Sequence, residues 1–421
     1  MKADIIEHIN PLKLVIFGAG KIGRSFIGQL FSRGGYEVVF VDVMKPVIDE
    51  LNRRGNYNII IKTEKEQVIN IKNVRGVHTD DEEVVVNEIS TAGILATSVG
   101  LNGLVTAIPL IAKGLLKRFS NNKSSPLDII IAENLRNASE YFNEELKKSL
   151  PGWFPIKRFV GTIETSIGKM VPIMLKKDME EDILQVFAEP YNTLILDKKA
   201  FKNPIPGIEG LAPKDNMKAW VDRKLFIHNL GHAATAYVGY LFNPEFIFIY
   251  EALSISEIHN FVRETMLQAA GILLFKYPNE FSEKMLIEHI DDLLFRFQNK
   301  ALGDTIFRVG CDLKRKLGPE DRLAGSLKLA SELSLPYEKI LFVLVCACHF
   351  RACDEQKNML PGDIEFERQY EGNIKEILQS VCGFKINEDK RIFMEADKIE
   401  EQLKIRGLHS ILNRPSPFIE N

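Results

Sequence analysis

A lysine, an asparagine and a histidine stand five and three residues apart at Lys224, Asn229 and His232, in the run Lys224-Leu225-Phe226-Ile227-His228-Asn229-Leu230-Gly231-His232. Apolar residues recur around them at helical intervals from Val221 to Leu241. At about 3.6 residues per turn the three fall within roughly 140° of arc on one broad face. An amine, an amide and an imidazole on one face are what a carbinol needs if it is to lose a proton as hydride leaves: a base, a dipolar donor and a second donor. Gly231, Ala233 and Ala234 predict a thinly covered face that another surface or a ligand can approach. A straight helix would hold Lys224 and His232 about 12 Å apart, so sharing one substrate oxygen requires the lysine stem to bend forward. The same residues also suit a solvated stripe with one satisfied imidazole, and spacing alone leaves both readings open.

A second stretch supplies the partner chemistry. Lys13-Leu14-Val15-Ile16-Phe17 is a short apolar run that meets Gly18-Ala19-Gly20-Lys21-Ile22-Gly23 directly, and a helical pattern follows through Phe26, Ile27, Leu30 and Phe31. Gly34-Gly35 closes that pattern, and Val38-Val39-Phe40-Val41 leads to Asp42. Strand, glycine turn, helix, strand, acid is the context in which GxGxxG binds a dinucleotide. Gly18 permits the tight turn, Gly20 lets backbone N–H groups meet a pyrophosphate, and Gly23 lets the helix pack on the sheet. The helix N-terminus adds partial positive charge. Asp42, 24 residues after Gly18, is placed to accept both ribose hydroxyls and to repel a 2′-phosphate, which favours NAD over NADP.

The elements that must position these groups follow in order. Asn58 to Ile61 and Gln67 to Ile71 predict a hairpin, and Glu82 to Ile89 a helix. Ile94 to Gly100 reads as a strand ending in a small-residue turn, where Ser98 and Val99 offer backbone to a cofactor. Leu101 to Phe119 predicts a helix, and Asp128 to Ala132 a buried strand delivering Glu133 and Asn134 to the same edge. Asn134 suits a substrate oxygen and Glu133 a proton relay; Asn134 also suits an N-cap for a helix over Leu135 to Leu150. Phe159 to Thr165 is a further strand. The Pro- and Gly-rich segment Asn203 to Gly210 is the strongest break. It divides an α/β Rossmann-type N-terminal domain, 1–202, from a mostly α-helical C-terminal domain, 203–421, with helices over 215–241, 251–275, 281–297, 321–333, 336–350, 363–380 and 388–405.

Bulk properties narrow the function. The chain has 421 residues, 45% apolar and 26% charged, with a net charge of −3, so a polyanion-binding surface and a nucleic-acid partner are not expected. No apolar run reaches about 18 residues, and the start, Met1 to Asn10, carries Asp4 and Glu7 where a signal peptide would be basic then apolar. A cytoplasmic protein without a membrane partner is expected. Cys346, Cys348, His349 and Cys353 follow the apolar run Ile340 to Val345 and read as the end of a buried helix, not as a metal cluster. The tail, Arg406 to Asn421, reads as loosely held.

Three stretches together resemble the long-chain polyol (mannitol) dehydrogenases: Phe17 through Arg24 with Phe26-Ile27-Gly28; Ala132-Glu133-Asn134; and Asp222-Arg223-Lys224-Leu225-Phe226 through Asn229-Leu230-Gly231-His232-Ala233 with Thr235-Ala236-Tyr237. Weaker echoes include Arg308-Val309-Gly310, Lys316-Leu317 and Asp321-Arg322-Leu323. The resemblance implies a metal-independent, NAD-linked sugar-alcohol dehydrogenase, monomer or homodimer, acting on a small sugar alcohol or sugar phosphate. It implies Lys224 as general base, with Asn134, Asn229 and His232 holding the reacting oxygen.

Two departures bear on the substrate. Gly168-Lys169 stands before Val171-Pro172 where the family usually has Asp-Arg, and Cys311-Asp312-Leu313 follows Arg308-Val309-Gly310 where arginine then proline is usual. Lys169, Arg308 and Lys314 are then the cations expected at the substrate. A free polyol or a hexuronate, and a non-catalytic dinucleotide-binding protein, remain alternative readings.

Overall fold

The computed structural model describes residues 8–172, 174 and 176–412. Two compact units divide the chain, Met1–Val221 and Asp222–Asn421.

The first unit is built on a twisted, mostly parallel sheet. In chain order its strands are β1 (Asn10–Phe17), β2 (Glu37–Asp42), β3 (Asn56–Ile61), β4 (Gln67–Lys72), β5 (Val74–His78), β6 (Ala92–Thr97), β7 (Leu127–Ile131), β8 (Val160–Ser166), β9 (Val186–Ala188), β10 (Leu194–Asp197) and β11 (Leu211–Lys214). The main sheet runs β11-β10-β8-β7-β6-β1-β2-β5, and β10 is antiparallel to β8. The expected hairpin is β3 with β4, extended by β9 into a small second sheet.

Successive side chains of β1 enter different cores: Leu14 and Ile16 pack with Val38, Phe40, Ile94 and Ala96 on one face, Val15 and Phe17 with Val39, Val41 and Leu95 on the other. A strand covered on both faces needs the unbroken apolar run that the sequence shows. The chain reaches β2 and β5 on one side of β1 and β6, β7 and β8 on the other. The carboxyl ends of β1 and β6 therefore flank a topological switch point, where open α/β sheets take their ligands.

The Pro- and Gly-rich break does not end this unit, so the division expected at 202/203 lies earlier than the one observed. The Asp128 carboxylate accepts from the N–H groups of Lys202 and Asn203, at 2.8 and 3.0 Å, and beyond the break β11 pairs with β10. Also unanticipated is the late start of the helix after β7, which begins at Ala138 with Asn137 as its N-cap residue. Asn134 does not cap it.

The second unit is helical and has no strand among its described residues. Its principal helices are Leu230–Phe242, Ser256–Lys276, Glu283–Phe297, Ala324–Glu332, Glu338–Cys348, Pro361–Tyr370, Ile374–Ser380 and Lys390–Leu412. The run expected as one helix over 363–380 is two, because Glu371 and Gly372 both take positive φ. Every residue from Ile340 to Cys348 is buried, which places Cys346 and Cys348 in the core. Arg406 to Leu412 belong to the last helix, which is broken at Gly407; the rest of the tail and Met1–Glu7 lie outside the described residues. Among the described residues, no helix is long and apolar enough to cross a membrane.

Candidate functional site

The glycine turn in the first unit is held from two sides. Gly18 has φ +103°, and a Cβ there would lie 2.5 Å from the Ser98 carbonyl oxygen; a Cβ on Gly23 would lie 2.0 Å from the carbonyl oxygen of Gly18. Neither position tolerates a side chain. Gly20 differs: a Cβ would meet nothing within 4 Å, so the exposed turn at Gly20 and Lys21 keeps open space beside the start of the helix. The Asp42 carboxylate takes the Ala19 N–H at 2.6 Å and the Met44 N–H at 2.8 Å, one on each oxygen. Each oxygen retains capacity for another donor.

Ser98 lies against the turn, its hydroxyl 3.4 Å from the Gly18 carbonyl oxygen and its N–H donating to Phe17 at 2.8 Å. The Val99 N–H, expected to face a cofactor, is committed elsewhere. Both it and the Gly100 N–H donate to Glu133, at 3.0 and 2.8 Å, one to each carboxylate oxygen. Glu133 thus satisfies two N–H groups at the start of the helix Gly100–Asn121 and is buried. That arrangement fits a positioning group rather than the relay expected from its place after β7. Asn134 stays exposed on the loop.

The helix that leaves the glycine turn is not regular: Gly23–Gly28 is a π-helix, and all six of its residues are buried. Arg24 points back from it. Its Nε donates to the Ala19 carbonyl at 2.7 Å, and Nη1 reaches the carbonyls of Ile183 and Leu184 at 3.1 and 2.6 Å. Burial pushes this guanidinium below the ordinary arginine range, partly opposed by Tyr57 and Asp42. The Arg24 carbonyl in turn accepts from the buried Tyr57 hydroxyl at 2.7 Å. Lys169, expected at a substrate, is buried: its amine donates to Asn192 at 2.9 Å and Gln29 at 3.4 Å, and lies 5.2 Å from the Phe26 ring centroid.

In the second unit, Lys224–Asn229 is a further π-helix, running directly into Leu230–Phe242. Hydrogen bonds closing i→i+5 put residue i+5 over residue i, so Asn229 stands over Lys224, and His232 follows one α-turn on. The wide arc expected from a straight α-helix narrows to a column. From Lys224 to Gly239 the half-buried positions are Lys224, Leu225, Asn229 and His232, every other residue being buried. Burial, reinforced by the Arg322 cation and opposed by Asp321, lowers the Lys224 amine from the ordinary lysine range to about 8. Of the two approaches expected at the small residues on this helix, another surface or a ligand, the structure shows the first. Ala233 and Ala234 are fully buried, and a Cβ on Gly231 would lie 2.5 Å from the Met266 sulfur; it is the helix Ser256–Lys276 that makes the close approach.

Around the column stand two cations that the sequence marks only within the weaker echoes, Arg322 and Lys316. Arg322 is buried, donates to the Asn229 carbonyl at 3.4 Å and to Asp321 at 2.7 Å. Of the run Lys314-Arg315-Lys316, Lys314 and Arg315 are exposed and Lys316 turns inward. Its amine donates to the Val309 carbonyl at 2.7 Å, and burial with Arg322 nearby lowers it to about 8. The available signal was spacing, since Lys316 follows buried Leu313 by one helical turn. Asp312 pairs with Arg315.

His232 stacks on Phe297, centroids 4.6 Å apart and planes 13° apart. Burial, then the cations Arg308, Arg322, Lys316 and Arg296, hold its imidazole well below the usual histidine range. Its Nε2 lies 3.2 Å from Asp304 Oδ2, and Arg308 contacts the other oxygen of that carboxylate.

Residues 12–210 match the family described as the mannitol dehydrogenase Rossmann domain, and residues 216–395 match the mannitol dehydrogenase C-terminal domain. Among solved structures, the fold is similar to D-sorbitol dehydrogenase in its substrate-free form, with a TM-score of 0.77 at 16% identity over 96% of this chain and 95% of that one. It is also similar to Pseudomonas fluorescens mannitol 2-dehydrogenase in ternary complex with NAD and D-mannitol, with a TM-score of 0.72 at 15% identity over 97% of this chain and 95% of that one.

Proposed function

The chain belongs to the mannitol dehydrogenase family, and on that premise we propose that it is an NAD-dependent oxidoreductase interconverting a sugar alcohol phosphate and its keto sugar, in particular mannitol 1-phosphate and fructose 6-phosphate. The observation that carries the reading is the Lys224 amine: half-buried in a π-helix, aligned with Asn229 and His232, and lowered to about 8. A lysine so shifted is a usable base near neutral pH.

The first unit suits NAD. Gly20 leaves room at the helix start where a side chain would intrude on a pyrophosphate. Asp42 keeps acceptor capacity for ribose hydroxyls while its charge opposes a 2′-phosphate. When bound, NAD supplies the hydride acceptor for the carbinol C–H. In the oxidation, Lys224 takes the hydroxyl proton as the carbon–oxygen bond becomes a carbonyl. The Asn229 amide donates to the oxygen as negative charge builds on it. In the reduction, the Lys224 ammonium returns that proton.

The local cations support a phosphorylated substrate. Arg308, Arg322, Lys316 and Arg296 all bear on His232 electrostatically. Arg308, Arg322 and Arg296 already face Asp304, Asp321 and Asp292, whereas the buried Lys316 amine meets a carbonyl, and a buried cation gains most from an added anion. A free polyol is the second reading, favoured by the fold shared with a protein that binds D-mannitol. NADH-dependent reduction rates across fructose 6-phosphate, fructose, fructuronate and tagaturonate test the two. A preference for fructose 6-phosphate of at least tenfold in kcat/KM is expected; equal or higher kcat/KM on fructose would discard the phosphate assignment.

A further inference from the structure

Asp304 is buried at 3% exposure and is fixed by its backbone. Its carbonyl accepts from the Ile249 N–H at 3.0 Å, and the next residue, Thr305, forms an isolated antiparallel bridge with Phe248. The Thr305 hydroxyl accepts from the Arg308 N–H at 3.1 Å, starting the short helix Ile306–Gly310. A buried carboxylate is costly unless paired, and the groups paired with it are Arg308 and the Nε2 of His232. The imidazole approaches off the ideal hydrogen-bond axis, yet no hydrogen bond satisfies that nitrogen or either Asp304 oxygen elsewhere among the described residues.

We propose that Asp304 is a positioning residue that fixes the tautomer of His232, so that the imidazole meets the substrate as a hydrogen-bond acceptor. A carboxylate accepts and does not donate, so the nitrogen facing it carries the proton. A neutral imidazole has one N–H, and with Nε2–H turned to Asp304 the unprotonated Nδ1 is left for the substrate. The Phe297 ring stacked on His232 limits rotation of the imidazole about its bond to Cβ. The second donor anticipated on this face is therefore an acceptor, and its complement is a substrate hydroxyl that donates. Lys224 and Asn229 remain to hold the reacting oxygen. Such an arrangement selects a carbonyl flanked by a free hydroxyl, as on a polyhydroxylated chain, over a simple ketone. The inference rests on the functional reading above, but its first test does not.

Imidazole 15N spectra of the full-length protein, with the His232 signals assigned by their loss in His232→Gln, should show the Nε2–H tautomer in the wild type. Asp304→Ala should populate the Nδ1–H form. Asp304→Asn, whose amide oxygen still accepts from Nε2–H, should retain the wild-type tautomer and guards against misfolding of the alanine variant. In turnover, Asp304→Ala should lower kcat/KM on the order of 10–100-fold, by analogy with carboxylates that orient metal-bound histidines, mainly through the KM of the sugar. The NADH Kd should be unchanged, and Asp304→Asn should recover much of the loss. In a His232→Gln background, Asp304→Ala should add little. An Nδ1–H tautomer in the wild type would overturn the proposal whatever the activity, and so would fully additive losses. Absence of turnover on any keto sugar would overturn the functional reading instead, leaving the spectra to decide the tautomer.

Discussion

Both units contain a π-helix, and the two use the same irregularity for different ends. Gly23–Gly28 is wholly buried, begins and ends in glycine, and presses a helix onto a sheet: a Cβ on Gly28 would lie 2.7 Å from the Phe40 ring and 2.9 Å from the Tyr57 hydroxyl. Lys224–Asn229 has no glycine and keeps Lys224, Leu225 and Asn229 half-buried. In each, a backbone carbonyl is met by a side chain from elsewhere in its unit: Arg24 by the Tyr57 hydroxyl, Asn229 by the Arg322 guanidinium. Widening a helical turn displaces carbonyls from the α-ladder, and buried carbonyls need donors. In the first segment the widened turn serves close packing beneath the Gly18–Gly23 turn. In the second it rotates two polar side chains into line. A π-turn is thus a local register shift whose value depends on which residues it realigns.

The contrast breaks most sharply at Lys224. Lys224→Met keeps the bulk of the stem and removes the amine, and turnover should fall about 10³-fold while NADH affinity, measured by fluorescence titration, stays within a factor of two or so. The intact enzyme should show the amine in its pH profile. Oxidation needs the neutral amine, so its kcat/KM should climb with pH and level off above about 8, whereas reduction needs the ammonium and should decline through the same region. Arg322 lowers the Lys224 pKa by like-charge repulsion, so Arg322→Leu should move both limbs to higher pH. Profiles insensitive to that substitution would detach Arg322 from the amine.

The first segment should respond in stability and cofactor binding. Gly23→Ala sets a methyl against the Gly18 carbonyl, 2.0 Å from its oxygen, and a backbone neighbour cannot swing aside as a side chain would. A loss of about 3 kcal/mol is expected in denaturant unfolding, with NADH binding weakened in the folded fraction. Gly20→Ala is the control, since its Cβ meets nothing within 4 Å. It should leave stability within about 0.5 kcal/mol and still weaken NADH, because the methyl enters the open space proposed for the pyrophosphate. Equal stability losses in the two variants would erase the distinction between packing glycine and ligand glycine.

Legibility followed the range of the interactions. The β1 run and its glycine turn were readable because a strand covered on both faces must be continuously apolar, and because the positive φ of Gly18 and the contact of Gly23 with the Gly18 carbonyl are constraints within a few residues. The short strands β5 and β9 to β11 carry too few alternating positions to stand out, and β11 lies beyond a Pro-Gly segment that reads as a boundary. The π-turns left no mark in composition, since Lys224 to Asn229 has the same apolar rhythm in either register. The spacing of Lys316 from Leu313 marks it as inward only once Leu313 is known to be buried, and nothing in the sequence says that Asp304, far along the chain, meets His232. Those facts depend on packing between helices, which nothing local encodes.

The smallest effect probes what holds the first π-turn. Tyr57 is buried, its hydroxyl donates to the Arg24 carbonyl, and its ring packs edge-on against Phe40 at 6.0 Å. Tyr57→Phe preserves the ring and deletes the donor, so the loss isolates one hydrogen bond to a displaced carbonyl. A buried acceptor left unmatched costs about 1–2 kcal/mol, readable as a lowered denaturation midpoint with an unchanged slope. Turnover should hardly move, because Arg24 still ties the turn to the carbonyls of Ala19 and Leu184. If stability does not change, the Arg24 carbonyl is satisfied within its own helix and the parallel with Asn229 fails. If stability falls as expected, the two π-helices share a device: a wide turn held by one donor from outside its own helix, a phenol in the first segment and, in the second, a guanidinium whose charge also lowers the Lys224 amine.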